Sequence, residues 1–269
     1  MKKTLIHNLF IFAVVFIPFC IHSFVLDRVI LTSDNNPLYS EFWPVIARVW
    51  QQLIGVRPTL IFIDDGSAIE FDDTCGDVIR FKAIPDIPTA FQAQVIRLLA
   101  PVLFKDEICI ISDIDMLPLS RSYFVDTVKK FNDTSCVVYR PYGYDKRKHR
   151  YPMCYIAAKG LVFGDIFQVS NVEDIRDMII QWYEQKLGWI TDELMLYKYI
   201  HAWKNFAGHC MLLQTKRYRR LHRDYWKYHE DGITKGLYAD AHLPRPYSHY
   251  KNEIDAVICL LDLPVKEKI

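Results

Sequence analysis

Four short stretches of the chain are apolar at nearly every position. They are "DRVILTSDNN" from Asp27, "PTLIFIDDG" from Pro58, "DVIRFKA" from Asp77 and "EICIIS" from Glu107. A strand apolar on both of its faces is buried on both, as in a parallel sheet covered by helices. Between these runs the apolar positions recur three or four residues apart, which is the helical period. Phe42, Ile46, Val49 and Leu53 form one such stripe, and Val95, Leu98, Leu99 and Val102 form another. Pro44 fits the first helix only in its opening turn, and Pro101 should bend or end the second. Thr89 and Gln92 have the spacing of a capping box. Strand and helix in alternation predict an α/β fold with a doubly wound sheet.

The second half is less regular. "CVVYRPYG" and "MCYIAAKGLVFG" read as strands, with the basic loop "DKRKHR" between them. Ser170 and Glu173 have capping-box spacing and open a helix through about Lys186, whose buried stripe is Val172, Ile175, Ile179 and Trp182. Gly188 ends it. Thr191 reads as the N-cap of a further helix, "TDELMLYKYIHAW". The tail "YADAHLPRPYSHY" reads as extended loop. "TKRYRRLHRDYWKYH", Thr215 to His229, interleaves basic and aromatic residues; it reads either as a solvated face or as a flap that contacts phosphate or a sugar acceptor. No linker interrupts the pattern, so residues 25–269 are expected to form one domain.

Ahead of it, Lys2 and Lys3 precede a stretch with no charge until Asp27. Residues 4–24 approach the roughly 20 apolar residues that span a bilayer. Three readings stand: a retained signal anchor, a signal peptide cleaved near Ser23, or a buried part of the fold. The first two place the domain across a membrane, as a single-pass protein with a lumenal domain in the Golgi or endoplasmic reticulum, or in the secretory pathway. Asn132-Asp133-Thr134 would then be a glycosylation sequon. Seven cysteines permit disulfides, but no Cys-x-x-Cys pair suggests a structural zinc site. With 33 basic and 32 acidic residues the net charge is +1, which argues against a general nucleic-acid partner.

The candidate chemistry lies where the strands end. Asp34, Asp64, Asp65, Asp113 and Asp115 all fall at predicted carboxyl ends of strands, where open α/β sheets bind ligands. In extended chain Asp113 and Asp115 point to one side and Ile114 to the other. Two carboxylates so placed repel unless a cation lies between them. Mg²⁺ or Mn²⁺ takes oxygen ligands and leaves positions open for phosphate oxygens. A carboxylate, metal and diphosphate site is the expectation.

"IISDIDMLPL" resembles the Asp-x-Asp segment of glycosyltransferases with the GT-A fold. The order of "LTSDNN", "QAQVIRLLAP", "TDELML" and "HLPRP" around it is similar to theirs across roughly residues 25–250. The resemblance implies a GT-A type, Rossmann-like, mixed and mostly parallel sheet flanked by helices. It implies a Mn²⁺- or Mg²⁺-dependent transfer from a nucleotide-sugar donor, by family habit a UDP-sugar, to a hydroxyl on a glycan, glycoprotein or lipid. Thr32, Ser33 and Asp34 would lie near the base and ribose, and Asp65 near the nucleotide. Arg97 would lean toward the diphosphate or brace the carboxylates. Asp113 would contact ribose or reach the metal through water, and Asp115 would ligate it. His242 would be the third ligand, with His249 as its rival. Asp192 would be the general base of an inverting enzyme or would stabilise the sugar in a retaining one; "TDELML", similar to glycogenin-like enzymes, leans to the latter. Two alternatives share the fold: a non-catalytic sugar-binding module, and a sugar-nucleotide pyrophosphorylase. The latter should carry a glycine-rich loop after the first strand, and "LTSDNN" has no glycine.

Overall fold

A computed structural model of the chain describes residues 23–143, 149–214 and 217–263. The expected anchor or signal segment lies outside them except for Ser23 and Phe24. Phe24 is already part of the domain: its side chain is buried and its N–H bonds to the Phe131 carbonyl. Among the described residues no helix is long and apolar enough to cross a membrane.

The strands are β1 Arg28–Ser33, β2 Arg57–Asp64, β3 Asp77–Lys82, β4 Ile108–Ile111, β5 Met116–Pro118, β6 Cys136–Val138, β7 Ile156–Lys159, β8 Cys210–Leu212, β9 Arg219–Leu221 and β10 Tyr238–His242. The α-helices are α1 Pro37–Ser40, α2 Trp43–Val49, α3 Thr89–Leu99, α4 Gly160–Phe167, α5 Val172–Glu184, α6 Thr191–Ala202, α7 Phe206–His209, α8 Glu230–Thr234 and α9 Lys251–Cys259. Among the described residues seven strands form one sheet in the order β3-β2-β1-β4-β7-β6-β8; β5, β10 and β9 form a second, with β10 in the middle. In the large sheet β4–β7 and β6–β7 are antiparallel and the other pairings parallel. This is the expected mixed, mostly parallel α/β sheet flanked by helices.

The apolar runs are buried on both faces, as their composition demands. Val29, Leu31, Leu60, Phe62, Ile108 and Ile110 join a core shared with α2 and α9. Their alternate neighbours Ile30, Ile61, Ile63, Cys109 and Ile111 join a second core shared with α3, α4, α5 and α6. The chain runs β1 to β2 to β3 outward on one side, then returns to place β4 on the other side of β1. That reversal is a topological switch point, and the carboxyl ends of β1 and β4 flank a crevice there.

Several local expectations are corrected. The helix expected over Leu38 to Leu53 is broken into α1, α2 and a wider π-type turn, Trp50–Ile54, closed by Gly55 at φ 84°. Thr89 and Gln92 do not cap α3. Thr89 Oγ1 donates to Asp34, and the Gln92 amide bonds Ile84 and Ile87 in the preceding loop. The capping pair of α5 lies one residue later, as Asn171 and Asp174: the Asp174 N–H bonds Asn171 Oδ1 and the Ser170 N–H bonds Asp174 Oδ2. Val172 is exposed rather than buried. Ile190, not Thr191, precedes α6, and Gly188 opens a 3₁₀ turn rather than ending α5. The run through "AAKGLVFG" is strand only to Lys159. There Gly160 opens α4 so close to the turn before β4 that a Cβ would stand 2.3 Å from the Phe104 carbonyl oxygen. The tail expected as loop contains β10, whose apolar residues Tyr238, Ala239 and Ala241 are buried in the core.

Candidate functional site

Two adjoining cavities open at the switch point. The smaller, about 90 Å³, is lined by Thr32, Ser33 and Asp34 at the end of β1, by Asp113, Ile114 and Asp115 after β4, and by Tyr39 and Trp189. Ala90, Ala93, Gln94 and Arg97 complete it; their spacing puts them on one face of α3. The larger, about 480 Å³, shares Tyr39, Gln94, Arg97, Asp113, Asp115 and Trp189 and extends past Met116, Cys154, Asp192 and His242. Among the described residues, five arginines (Arg97, Arg150, Arg220, Arg223 and Arg245) and four carboxylates line this larger space.

Arg97 ties the two halves of the chain together. Its Nη1 donates to Asp113 Oδ1, and its Nη2 donates to Asp192 Oδ2 at 2.5 Å. Asp192, in the first turn of α6, is 2% exposed, and its other oxygen accepts from Gln94 Nε2 at 3.1 Å and from the Glu193 N–H at 2.8 Å. Burial pushes the Asp192 carboxyl above its ordinary range, and the Arg97 guanidinium opposes that shift.

Asp115 is met from the second sheet. The register of β5 against β10 pairs Met116 with His242, and the Leu243 N–H bonds the Asp115 carbonyl. His242 Nε2 therefore lies 3.7 Å from Asp115 Oδ2. Burial drives the His242 pKa down to about 4 against the pull of Asp115, so the imidazole is neutral. Arg223 Nη2 donates to the same Asp115 oxygen at 2.7 Å, and Arg245 stands 3.8 Å from it. Below these residues Asp240 is wholly buried and accepts two bonds from Arg220, across the β9–β10 pairing, and one from Arg140. Burial alone would raise the Asp240 carboxyl, but the two guanidiniums outweigh it and hold the group below its usual range.

The donor set suits a hard divalent cation. Asp115 offers a carboxylate oxygen and His242 a neutral imidazole nitrogen on one side of the cavity, and such ions take their remaining ligands from water and phosphate. Among the described residues no three acidic, histidine or cysteine side chains converge. Asp113 gives its carboxylate to Arg97.

Of the expected site residues, Thr32, Ser33, Asp34, Arg97, Asp113, Asp115, Asp192 and His242 all line one or both cavities. Asp34 is also structural, since its carboxylate accepts from the Asn36 N–H and from Thr89 Oγ1. Asp65 lies in an exposed turn outside both cavities, bonded to Asn35 and Ser67, and the Ser67 hydrogen bonds hold its carboxyl below the ordinary range. His249 is exposed and packs on Tyr250 instead. The sequence reasoning missed Gln94, Trp189, Arg150 and Arg245. It held Arg220 and Arg223 in a run read either as a solvated face or as a flap contacting phosphate or a sugar acceptor. The alternation of basic and aromatic residues there was the one available signal, and the structure turns those two arginines inward while leaving Tyr225 exposed.

No protein-family model matches the sequence, and no curated protein does. Among solved structures the chain is similar to the galactosyltransferase LgtC in complex with donor and acceptor sugar analogues. The two are 13% identical, with a TM-score of 0.45, covering 89% of this chain and 98% of that one. It is also similar to the glycosyltransferase GlyE of Streptococcus pneumoniae TIGR4, at 10% identity and a TM-score of 0.48, covering 91% of this chain and 66% of that one.

Proposed function

We propose that this chain is a glycosyltransferase that moves a sugar from a nucleotide-diphosphate sugar to a hydroxyl acceptor. The observation that carries this is the meeting of Asp115, delivered by the end of β4, with His242, delivered by β10, beside a crevice at the sheet's switch point. In this reading the nucleoside enters the smaller cavity against Thr32, Ser33 and Asp34. The acceptor, a glycan, glycoprotein or lipid, enters the larger one beneath Trp189. Asp115 and His242 would hold Mn²⁺ or Mg²⁺, with Asp113 reaching it through water. When bound, that ion supplies Lewis-acid neutralisation of charge on the diphosphate.

The bond between the anomeric carbon and the diphosphate oxygen breaks with its electrons left on the diphosphate. The acceptor oxygen bonds to the same carbon and loses its proton. Asp192 already accepts from Arg97, Gln94 and the Glu193 N–H. That occupancy favours Asp192 as the brace that positions Arg97 and the sugar, with the proton passing to the departing diphosphate, as in a retaining transfer. Arg97, held between Asp113 and Asp192, orients both carboxylates without being the base.

The test is a panel of nucleotide sugars assayed for release of nucleoside diphosphate, with Mn²⁺ and with chelator. Turnover of one donor that stops with chelator supports the reading. No turnover and no binding of any donor sinks it. The anomeric configuration of the product, read by NMR, separates retention from inversion.

A further inference from the structure

Gln94 is placed where the two cavities join, and its hydrogen bonding is incomplete. It sits on the α3 face that carries Ala90, Ala93 and Arg97, is 7% exposed, and lines both spaces. Its Nε2 donates to the Trp189 carbonyl and to Asp192 Oδ1. Both partners are acceptors, so the amide can sit only one way round; reversed, its oxygen would face two oxygens. That fixes Oε1 as the free end. Oε1 is buried and accepts no hydrogen bond among the described residues. A buried amide oxygen without a donor costs about 1–3 kcal/mol, so a group that supplies one is favoured by the site itself.

The neighbours define what that group is. Arg97 bonds both Asp113 and Asp192, Gln94 bonds Asp192 and the Trp189 carbonyl, and all of these residues line the larger cavity. Gln94 lines both cavities, so a molecule that fills both lies against it. Arg97 does not supply the missing donor: its two terminal nitrogens are engaged by Asp113 and Asp192, and its Nε, also buried, bonds to nothing among the described residues, Gln94 Oε1 included. We propose that Gln94 reads the donor sugar: its Oε1 accepts a hydrogen bond from one hydroxyl of the transferred sugar, and so selects donors that carry that hydroxyl. This rests on the cavity being a nucleotide-sugar site. A site built to bond a hydroxyl rejects analogues lacking it far better than an apolar pocket rejects an extra group.

The experiment measures binding, not turnover. The nucleotide sugar bound by the wild-type protein is identified by calorimetry from a panel that includes UDP-glucose, UDP-galactose and UDP-N-acetylglucosamine. Its deoxyfluoro analogues are then titrated one position at a time, since fluorine cannot donate a hydrogen bond. In wild type, replacing one hydroxyl weakens binding by roughly tenfold, the worth of one hydrogen bond. In Gln94→Met that same replacement costs nothing further, while the other positions keep their wild-type effects.

Gln94→Met also removes the donor to Asp192, so Gln94→Glu serves as the separating variant. Like Gln94→Met it loses the Nε2 donor to Asp192 and the Trp189 carbonyl, but it alone retains an acceptor oxygen at the position of Oε1. It should keep discrimination at the same hydroxyl. If no position couples to Gln94, or if Gln94→Glu loses discrimination as fully as Gln94→Met, the assignment is wrong and Gln94 merely positions Asp192. If the wild-type protein binds no nucleotide sugar, the glycosyltransferase reading itself falls, and the assignment with it. Thermal melting of each variant shows that it folds.

Discussion

Arg97 Nη2 and Asp192 Oδ2 lie 2.5 Å apart, although 95 positions separate them in the chain. The bond pins α6 to α3, with both side chains at most 10% exposed. Burial raises the Asp192 carboxyl above its ordinary range, and the guanidinium it faces opposes the rise.

The two residues should therefore behave as a unit. Arg97→Ala leaves a stranded carboxylate and should cost about 3–5 kcal/mol of stability. Asp192→Asn in the same background should recover part of that loss, because no buried charge remains unpaired. Urea unfolding of the two single variants and the double variant measures it. Effects that add within about 0.5 kcal/mol would show no coupling.

Asp115 should decide cation binding. Asp115→Asn and His242→Ala should each weaken Mn²⁺ binding by roughly tenfold or more, while circular dichroism stays native. Arg223→Ala should do the opposite for Mn²⁺ added alone, since Arg223 competes for the same Asp115 oxygen at 2.7 Å. Calorimetric titration distinguishes the signs. A loss of Mn²⁺ affinity in Arg223→Ala would show that this arginine supports the site structurally.

Asp240 should govern acid stability. Its folded pKa lies below the unfolded value of about 3.9, so the pair with Arg220 and Arg140 contributes fully above that value. The contribution is lost as pH falls through the folded pKa. Asp240→Ala strands two guanidiniums and should cost about 3–5 kcal/mol near neutral pH. The unfolding free energy of Asp240→Ala should also fall less steeply than that of wild type below about pH 4. Equal slopes would mean that Asp240 does not carry the acid transition.

Trp189 is 66% exposed, yet it lines both cavities. Trp189→Ala should change stability by no more than about 0.5 kcal/mol, as for other surface positions. It should instead raise KM for donor or acceptor with little change in kcat, because an aromatic face at the rim binds ground state and transition state alike. A kcat that fell with KM unchanged would place Trp189 in the chemical step.

Much of this was legible along the chain, for physical reasons. A run apolar on both strand faces has no place except a covered sheet, so β1, β2 and β4 and their order with α3 could be read directly. The carboxylates after those strands could be read too, because a strand's end is where its backbone leaves the core. His242 was legible as a residue type near the end of the chain. That His242 rather than His249 lies beside Asp115 was not settled there, because that depends on the pairing of β10 with β5, a register made between segments more than 100 residues apart. The capping signals failed where a tertiary partner outbid the local one, as when Thr89 turned to Asp34.

Local pattern by itself determined the α/β sheet, its two-sided core and the placing of Asp34, Asp113 and Asp115 at strand ends, because periodicity and burial act within a few residues. Only the tertiary structure decided which charges meet: Arg97 with Asp192, Arg223 with Asp115, Arg220 with Asp240, and Gln94 with an oxygen left open between two cavities. Those pairings are made across the chain, and the energy of a buried charge or amide depends on the partner that folding brings to it.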